Sequence, residues 1–239
     1  QADLQIVVAF RMLPEVVWAM PRLGTFNLHA SLLPQYRGAA PINWAVINGD
    51  RETGATTFFL QHEIDTGDII DQIRIPILND DDAGTVHDKL MVSGADLLIR
   101  TADSIINGTV SPRPQPQMSS DELRTAPKIF KETCRIDWNM PARRVFDFIR
   151  GMSPYPAAWT SLEDIDGNAQ DFKIFSVSET GKSFGEPGTV HTDGRRKIEV
   201  VCGDGNAVSL HEVQIAGRRR MSVQDFLCGS PICEGYHMK

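Results

Sequence analysis

Asn27 and His29 stand two residues apart in Thr25-Phe26-Asn27-Leu28-His29, and Asp65 follows in His62-Glu63-Ile64-Asp65-Thr66-Gly67-Asp68. On an extended strand, residues two apart share a face. A carboxamide and an imidazole side by side can both donate to an oxygen that turns negative in a tetrahedral intermediate. A protonated ring is the stronger donor, and a neighbouring carboxylate favours that form. Asp65, in a turn shared with Gly67, is the candidate carboxylate. The three residue types therefore suit a reaction at a carbonyl carbon. Each motif alone is short and recurs in ordinary strands and turns. His62, His87, His191, His211 and His237 lack such a setting and read as surface or packing residues.

The surrounding sequence must supply the strands that present these groups. Ile6–Ala9 is a continuous apolar run, as in a strand buried on both faces. Pro14 opens a helix reaching Met20, and residues 24–29 form the next strand. Ala39–Asn48 reads as a helix ending near Gly49. Thr53–Gln61 and Ile69–Ile77 read as strands. Thr85–Ile106 has helical apolar spacing and stops at Asn107-Gly108. Alternating strands and helices predict an α/β domain with a parallel sheet over residues 1–110.

Proline then takes every second position in Ser111-Pro112-Arg113-Pro114-Gln115-Pro116-Gln117. This predicts an extended, semi-rigid linker over residues 111–134. A helix is expected over Pro141–Arg150, capped by Asn139. Strand-like runs at 157–163, 170–178, 187–191, 197–202 and 207–215 predict a small OB-like β-barrel within residues 135–239.

Composition narrows the class. The chain has 239 residues, is 41% hydrophobic and carries a net charge of −7. That size accommodates one large domain or two modest ones. No apolar run is long enough to span a bilayer, and no secretion signal is evident. Cys134, Cys202, Cys228 and Cys233 form no metal-binding pair, and free thiols in a reducing cytoplasm are expected. The acidic excess lies within residues 1–125, whereas 126–239 is balanced. That second half carries Arg143-Arg144, Arg195-Arg196-Lys197 and Arg218-Arg219-Arg220, candidates for a phosphate-contacting face.

Taken in order, Asn27-Leu28-His29-Ala30-Ser31-Leu32-Leu33-Pro34, Tyr36-Arg37-Gly38 and Asp65-Thr66-Gly67-Asp68 resemble the 10-formyltetrahydrofolate-dependent formyltransferases. Within that family the chain is similar to the branch acting on methionyl-tRNA. The likeness rests on Arg37–Ile42, Ala126-Pro127-Lys128-Ile129, Arg135-Ile136-Asp137-Trp138, Ile149–Trp159 and Phe226-Leu227-Cys228-Gly229, and it extends over essentially the whole chain.

The resemblance implies a partial Rossmann-like formyltransferase domain followed by an OB-like tRNA-binding domain. It implies that Asn27, His29 and Asp65 are catalytic. Ser31, Leu32, Leu33 and Pro34 would bind the folate, with Arg11, Met12, Leu13, Ile64 and Gly67 beside the pterin. Arg11 stands where the family commonly has a small residue. The co-substrate would be 10-formyltetrahydrofolate, the acceptor initiator methionyl-tRNA in translation initiation, and no metal would be needed. A cytoplasmic monomer without a membrane partner is expected. In the family three strand–helix units precede the strand at residue 4, so the chain is expected to lack roughly the first third of the enzyme, a reading drawn from its buried-type first strand. Two alternatives are a formyltransferase acting on a small amine, either a purine precursor or an amino sugar, and an inactive fragment that only binds RNA.

Overall fold

The computed structural model describes residues 2–9, 13–119, 121–230 and 232–239. The first apolar run forms β1 (Gln5–Val8), followed by the short helix α1 (Glu15–Trp18) and β2 (Thr25–His29). The chain continues through β3 (Arg37–Gly38), α2 (Pro41–Ile47), β4 (Glu52–Phe59), β5 (Ile69–Pro76), the long helix α3 (Ala83–Ile106) and β6 (Thr125–Ala126). The main sheet has the order β1-β2-β4-β5. Between β1 and β4, β2 is buried at every residue except Leu28, which is half-buried. Its alternation is one of facing, not of exposure. An added Cβ at Gly94 of α3 would stand 3.3 Å from Leu28 Cδ2, so α3 covers the Leu28 face. Asn27 and His29 point to the other face.

Within this sheet only the β1–β2 pairing is parallel; β4 runs antiparallel to β2, and β5 to β4. Strand–helix alternation predicted a parallel sheet. Residues 60–68 join β4 to β5 directly, and so short a connection cannot make a parallel crossover. The α/β architecture stands, with the parallel part confined to β1 and β2. Val86, Leu90, Leu97 and Ile105 form the buried stripe of α3, and the Thr57 and Thr101 hydroxyls meet at 2.8 Å between β4 and α3.

The proline-alternating segment does not stand free. Arg113 and Ile69 exchange two main-chain hydrogen bonds of 2.8 and 2.9 Å. Proline at 112, 114 and 116 leaves Arg113 its N–H, which makes one of them. β6 pairs in parallel with β3, and residues 85–128 belong to one compact unit with Gln1–Ala45 and Asp50–Asp80.

The other unit comprises Val46–Gly49, Asp81–Gly84 and Ile129–Lys239. It contains α4 (Ala142–Met152), β7 (Ala158–Glu163), β8 (Ala169–Lys182), β9 (Val190–Thr192), β10 (Ile198–Val201), β11 (Asn206–Ile215), β12 (Met221–Ser222), α5 (Val223–Gly229) and β13 (His237–Met238). The strands form an antiparallel sheet of order β13-β7-β8-β11-β10-β9, with β12 beside β11. Its ends nearly meet, because Met238 N–H donates to Gly188 O at 2.8 Å and Thr189 bridges His237. The result is a nearly closed barrel containing the five expected strands plus two of only two residues. Asn139 does not cap α4. Its Nδ2 donates to Asp137 Oδ1, and the free N–H of Ala142 is taken by Asp204 Oδ1 at 3.2 Å. Asp147 and Arg150 form a buried ion pair of 2.7 Å, and Arg150 Nη1 also donates to Asp81 O at 2.9 Å.

Candidate active site

β2 carries Asn27 and His29 into the interior, and both side chains are buried. His29 Nε2 donates to Tyr36 O at 2.8 Å. This commits one ring N–H to the main chain. Nδ1 faces Asp65 Oδ2 at 3.8 Å, an ion-pair separation too long for a hydrogen bond. The same Asp65 oxygen accepts the N–H of Gly38 at 3.0 Å. Tyr36 and Gly38, two residues apart, therefore support the imidazole and the carboxylate through their main chain. Both Tyr36 (φ 60°) and Asp65 (φ 54°) hold left-handed backbone. For residues other than glycine that conformation costs of order 1–3 kcal/mol, and the surrounding contacts must hold it.

The contacts around Tyr36 are dense. Its N–H donates to Arg124 O at 2.6 Å and its hydroxyl to Asp50 Oδ2 at 2.6 Å, while Arg124 bonds both that hydroxyl and Asp50. The Tyr36 hydroxyl, and next the Asp50 charge, raise the pKa of the Arg124 guanidinium above its ordinary value. Gly38 has φ 127°, and a Cβ there would lie 2.4 Å from Ala126 O, so β3 and β6 approach too closely for any other residue.

Asn27 Oδ1 is buried and, among the described residues, has no hydrogen-bond partner. An unsatisfied buried acceptor costs about 1–3 kcal/mol, and such groups are rare enough to mark a place where something else binds.

The residues expected at the folate divide into two groups. Ser31, Leu33 and Pro34 are buried and engaged within the chain. Ser31 Oγ donates to Gln35 O at 2.6 Å, and Leu33 packs with Phe58 and Ile69. Thr56 Oγ1 bonds both Ser31 O and Leu33 N. Leu32 and Leu13 are half-buried, and Ile64 is 64% exposed beside Asp65. These three offer apolar surface. Gly67 is buried because a Cβ would fall 1.7 Å from Phe59 O. Arg11 and Met12 lie outside the described residues.

Gln115, in the proline segment, reaches the same turn, and no local signal marks it. The two main-chain supports from Tyr36 and Gly38 leave no trace in side-chain type. Among the described residues, no group of three His, Cys, Asp or Glu side chains is placed to hold a metal ion, and no helix is long and apolar enough to cross a membrane.

Comparison with known proteins places the chain in a family. Residues 1–102 match the formyl transferase family, and residues 128–231 match its C-terminal domain. The chain is 60% identical over 240 residues to a methionyl-tRNA formyltransferase of Bacteroides thetaiotaomicron, covering 100% of this chain and 74% of that protein. It is 61% identical over 235 residues to that of Phocaeicola vulgatus, covering 96% and 71%. HypX of Aquifex aeolicus, solved with tetrahydrofolic acid, shares the fold at 20% identity and a TM-score of 0.68, covering 95% of this chain and 38% of that one. This chain belongs to the formyl transferase family and, within it, to the methionyl-tRNA formyltransferases.

Proposed function

We propose that the protein transfers the formyl group of 10-formyltetrahydrofolate to the α-amine of initiator methionyl-tRNA, with Asn27, His29 and Asp65 as its catalytic residues. The observation that carries the site assignment is the buried Asn27 Oδ1, without a hydrogen-bond partner among the described residues, on the same face as a histidine whose Nδ1 turns toward Asp65. The amine attacks the formyl carbon, a new C–N bond forms, and the bond to N10 breaks as N10 takes a proton. In the tetrahedral intermediate the oxyanion and the amine nitrogen are attached to one carbon. An asparagine amide matches that pair, its Nδ2 donating to the oxyanion and its Oδ1 accepting an N–H of the amine. His29 Nε2 is held by Tyr36, so Nδ1 is the nitrogen left to donate to the oxyanion. Asp65 stabilises the ring when both nitrogens carry protons and takes part in moving a proton from the amine to N10.

Among the described residues, Leu13, Leu32 and Ile64 offer apolar side chains to the pterin, while Ser31, Leu33 and Pro34 build the turn beneath it. In the second unit, exposed Arg195, Arg196 and Arg219 are available for the tRNA backbone, since Lys197 pairs with Glu199 and Arg220 with Glu212. The test is formylation of methionyl-tRNA by Asn27→Ala, His29→Ala and Asp65→Ala. Loss of a transition-state donor lowers kcat by about 10²–10³. Near-normal turnover by His29→Ala overturns the assignment of His29. Equal efficiency on a nucleotide-linked amino sugar overturns the tRNA substrate.

A further inference from the structure

We propose that Gln115 is the positioning residue for Asp65. The inference rests on the reading of Asp65 as catalytic. Gln115 Nε2 donates to Asp65 O at 2.8 Å and to Gly67 O at 2.9 Å, and its Oε1 accepts from Arg37 Nη2 at 2.6 Å. Both amide N–H groups and the amide oxygen are thus used, and the partners fix the orientation of the amide: two carbonyls demand the donor end, and a guanidinium demands the acceptor end.

The turn needs such an anchor. Asp65 holds left-handed backbone, and its neighbour Ile64 faces solvent. Gln115 is itself well held. Pro114 and Pro116 restrict the backbone on either side, and Arg113 is bonded to Ile69, which sits in the buried cluster with Leu33 and Phe58. Rigidity therefore passes from the core through Ile69 and Arg113 to Gln115 and on to the Asp65 main chain. Arg37 closes the ring, because it lies between Tyr36, which holds His29, and Gly38, which holds the Asp65 carboxylate. The proline-alternating segment is a wall of the site as well as a connection.

The experiment is a double-mutant cycle on methionyl-tRNA formylation by the full gene product. Gln115→Ala and Gln115→Met remove both donors; Gln115→Glu keeps the stem and the acceptor but has no N–H to give the two carbonyls. Each should lower kcat by about 10–100-fold, the size of two lost hydrogen bonds, with KM for both substrates little changed. In the Asp65→Ala background the same changes should cost less than about 2-fold, since coupled residues are not additive. Wild-type turnover by Gln115→Ala or Gln115→Glu, a loss carried by KM, or a loss that persists in full without Asp65 overturns the proposal. Wild-type turnover by Asp65→Ala alone overturns the catalytic reading beneath it, and that result is read without any Gln115 variant.

Discussion

Gly67→Ala tests how tightly the Asp65 turn is built. The added Cβ would fall 1.7 Å from Phe59 O, 2.9 Å from Phe59 C and 3.2 Å from Phe58 Cδ2. A relaxed C···O contact is about 3.3 Å, so turn or strand must yield by about 1.6 Å. The strand cannot yield easily, because Phe58 is fully buried and β4 is paired along its length with β5. The turn moves instead, straining the Phe59 N–H to Asp68 O bond of 3.1 Å and the Gln115 bond to Gly67 O of 2.9 Å. Losing two such bonds with some added strain costs about 2–4 kcal/mol. For a chain of this size that lowers the melting temperature by about 5–15 °C. Asp65 lies two residues away, and a displacement of about 1 Å at a reacting group costs on the order of 10²-fold in rate. Scanning calorimetry and single-turnover formylation, run below the variant's melting temperature, read the two effects separately. A variant with wild-type melting temperature and wild-type rate would refute the packing argument, and one that loses stability but keeps its rate would refute the link from turn to catalysis.

Two further outcomes concern the second unit. Asp147→Ala removes the Asp147 carboxylate from Arg150, whose side chain is only 9% exposed; breaking a buried pair costs about 3–5 kcal/mol, so thermal unfolding should fall by about 10 °C, and a fall under about 2 °C would show the pair to be dispensable. At the β9–β10 turn the Asp193 carboxylate accepts the main-chain N–H groups of Arg196, Arg195 and Lys197, which lower its pKa to about 2. A depressed carboxyl pKa gives a contribution fully present above the unfolded value of about 4 and lost as pH falls through the folded one, so the Asp193 carboxyl resonance should titrate near pH 2 by NMR, and a midpoint near 4 would mean that the turn is not held this way.

Much of this architecture is legible in residue order. An apolar run locates β1, helical spacing locates α3, and glycine- and aspartate-punctuated runs locate the five longer barrel strands. The facing of Asn27 and His29 follows from strand geometry alone, and Asp65 is read as their candidate partner from its glycine-containing turn, with the family resemblance pointing to the same three residues. What stays hidden is whatever depends on the return path of the chain. The antiparallel placement of β4 and β5 follows from pairing, which local periodicity does not encode. The supports of His29 and Asp65 are a carbonyl and an amide, groups that every non-proline residue possesses. Gln115 is one glutamine among prolines, and only the bridge from Arg113 to Ile69 brings it to the turn. Asn139 has the residue type of a helix cap, but Asp204, distant in sequence, satisfies Ala142 instead.

The course of the proline-alternating segment bears on how such genes can be recombined. Composition would place a crossover point near residue 111, where regular structure gives way to alternate prolines. A chimaera joined there would take Arg113, Gln115 and β6 from the foreign parent, although all three bond to residues of the upstream parent. A junction after Lys128 keeps every one of those contacts within a single parent. Exchange of the barrel between homologues should therefore preserve turnover from the later junction and degrade it from the earlier one, which makes the apparent spacer a heritable part of the catalytic module.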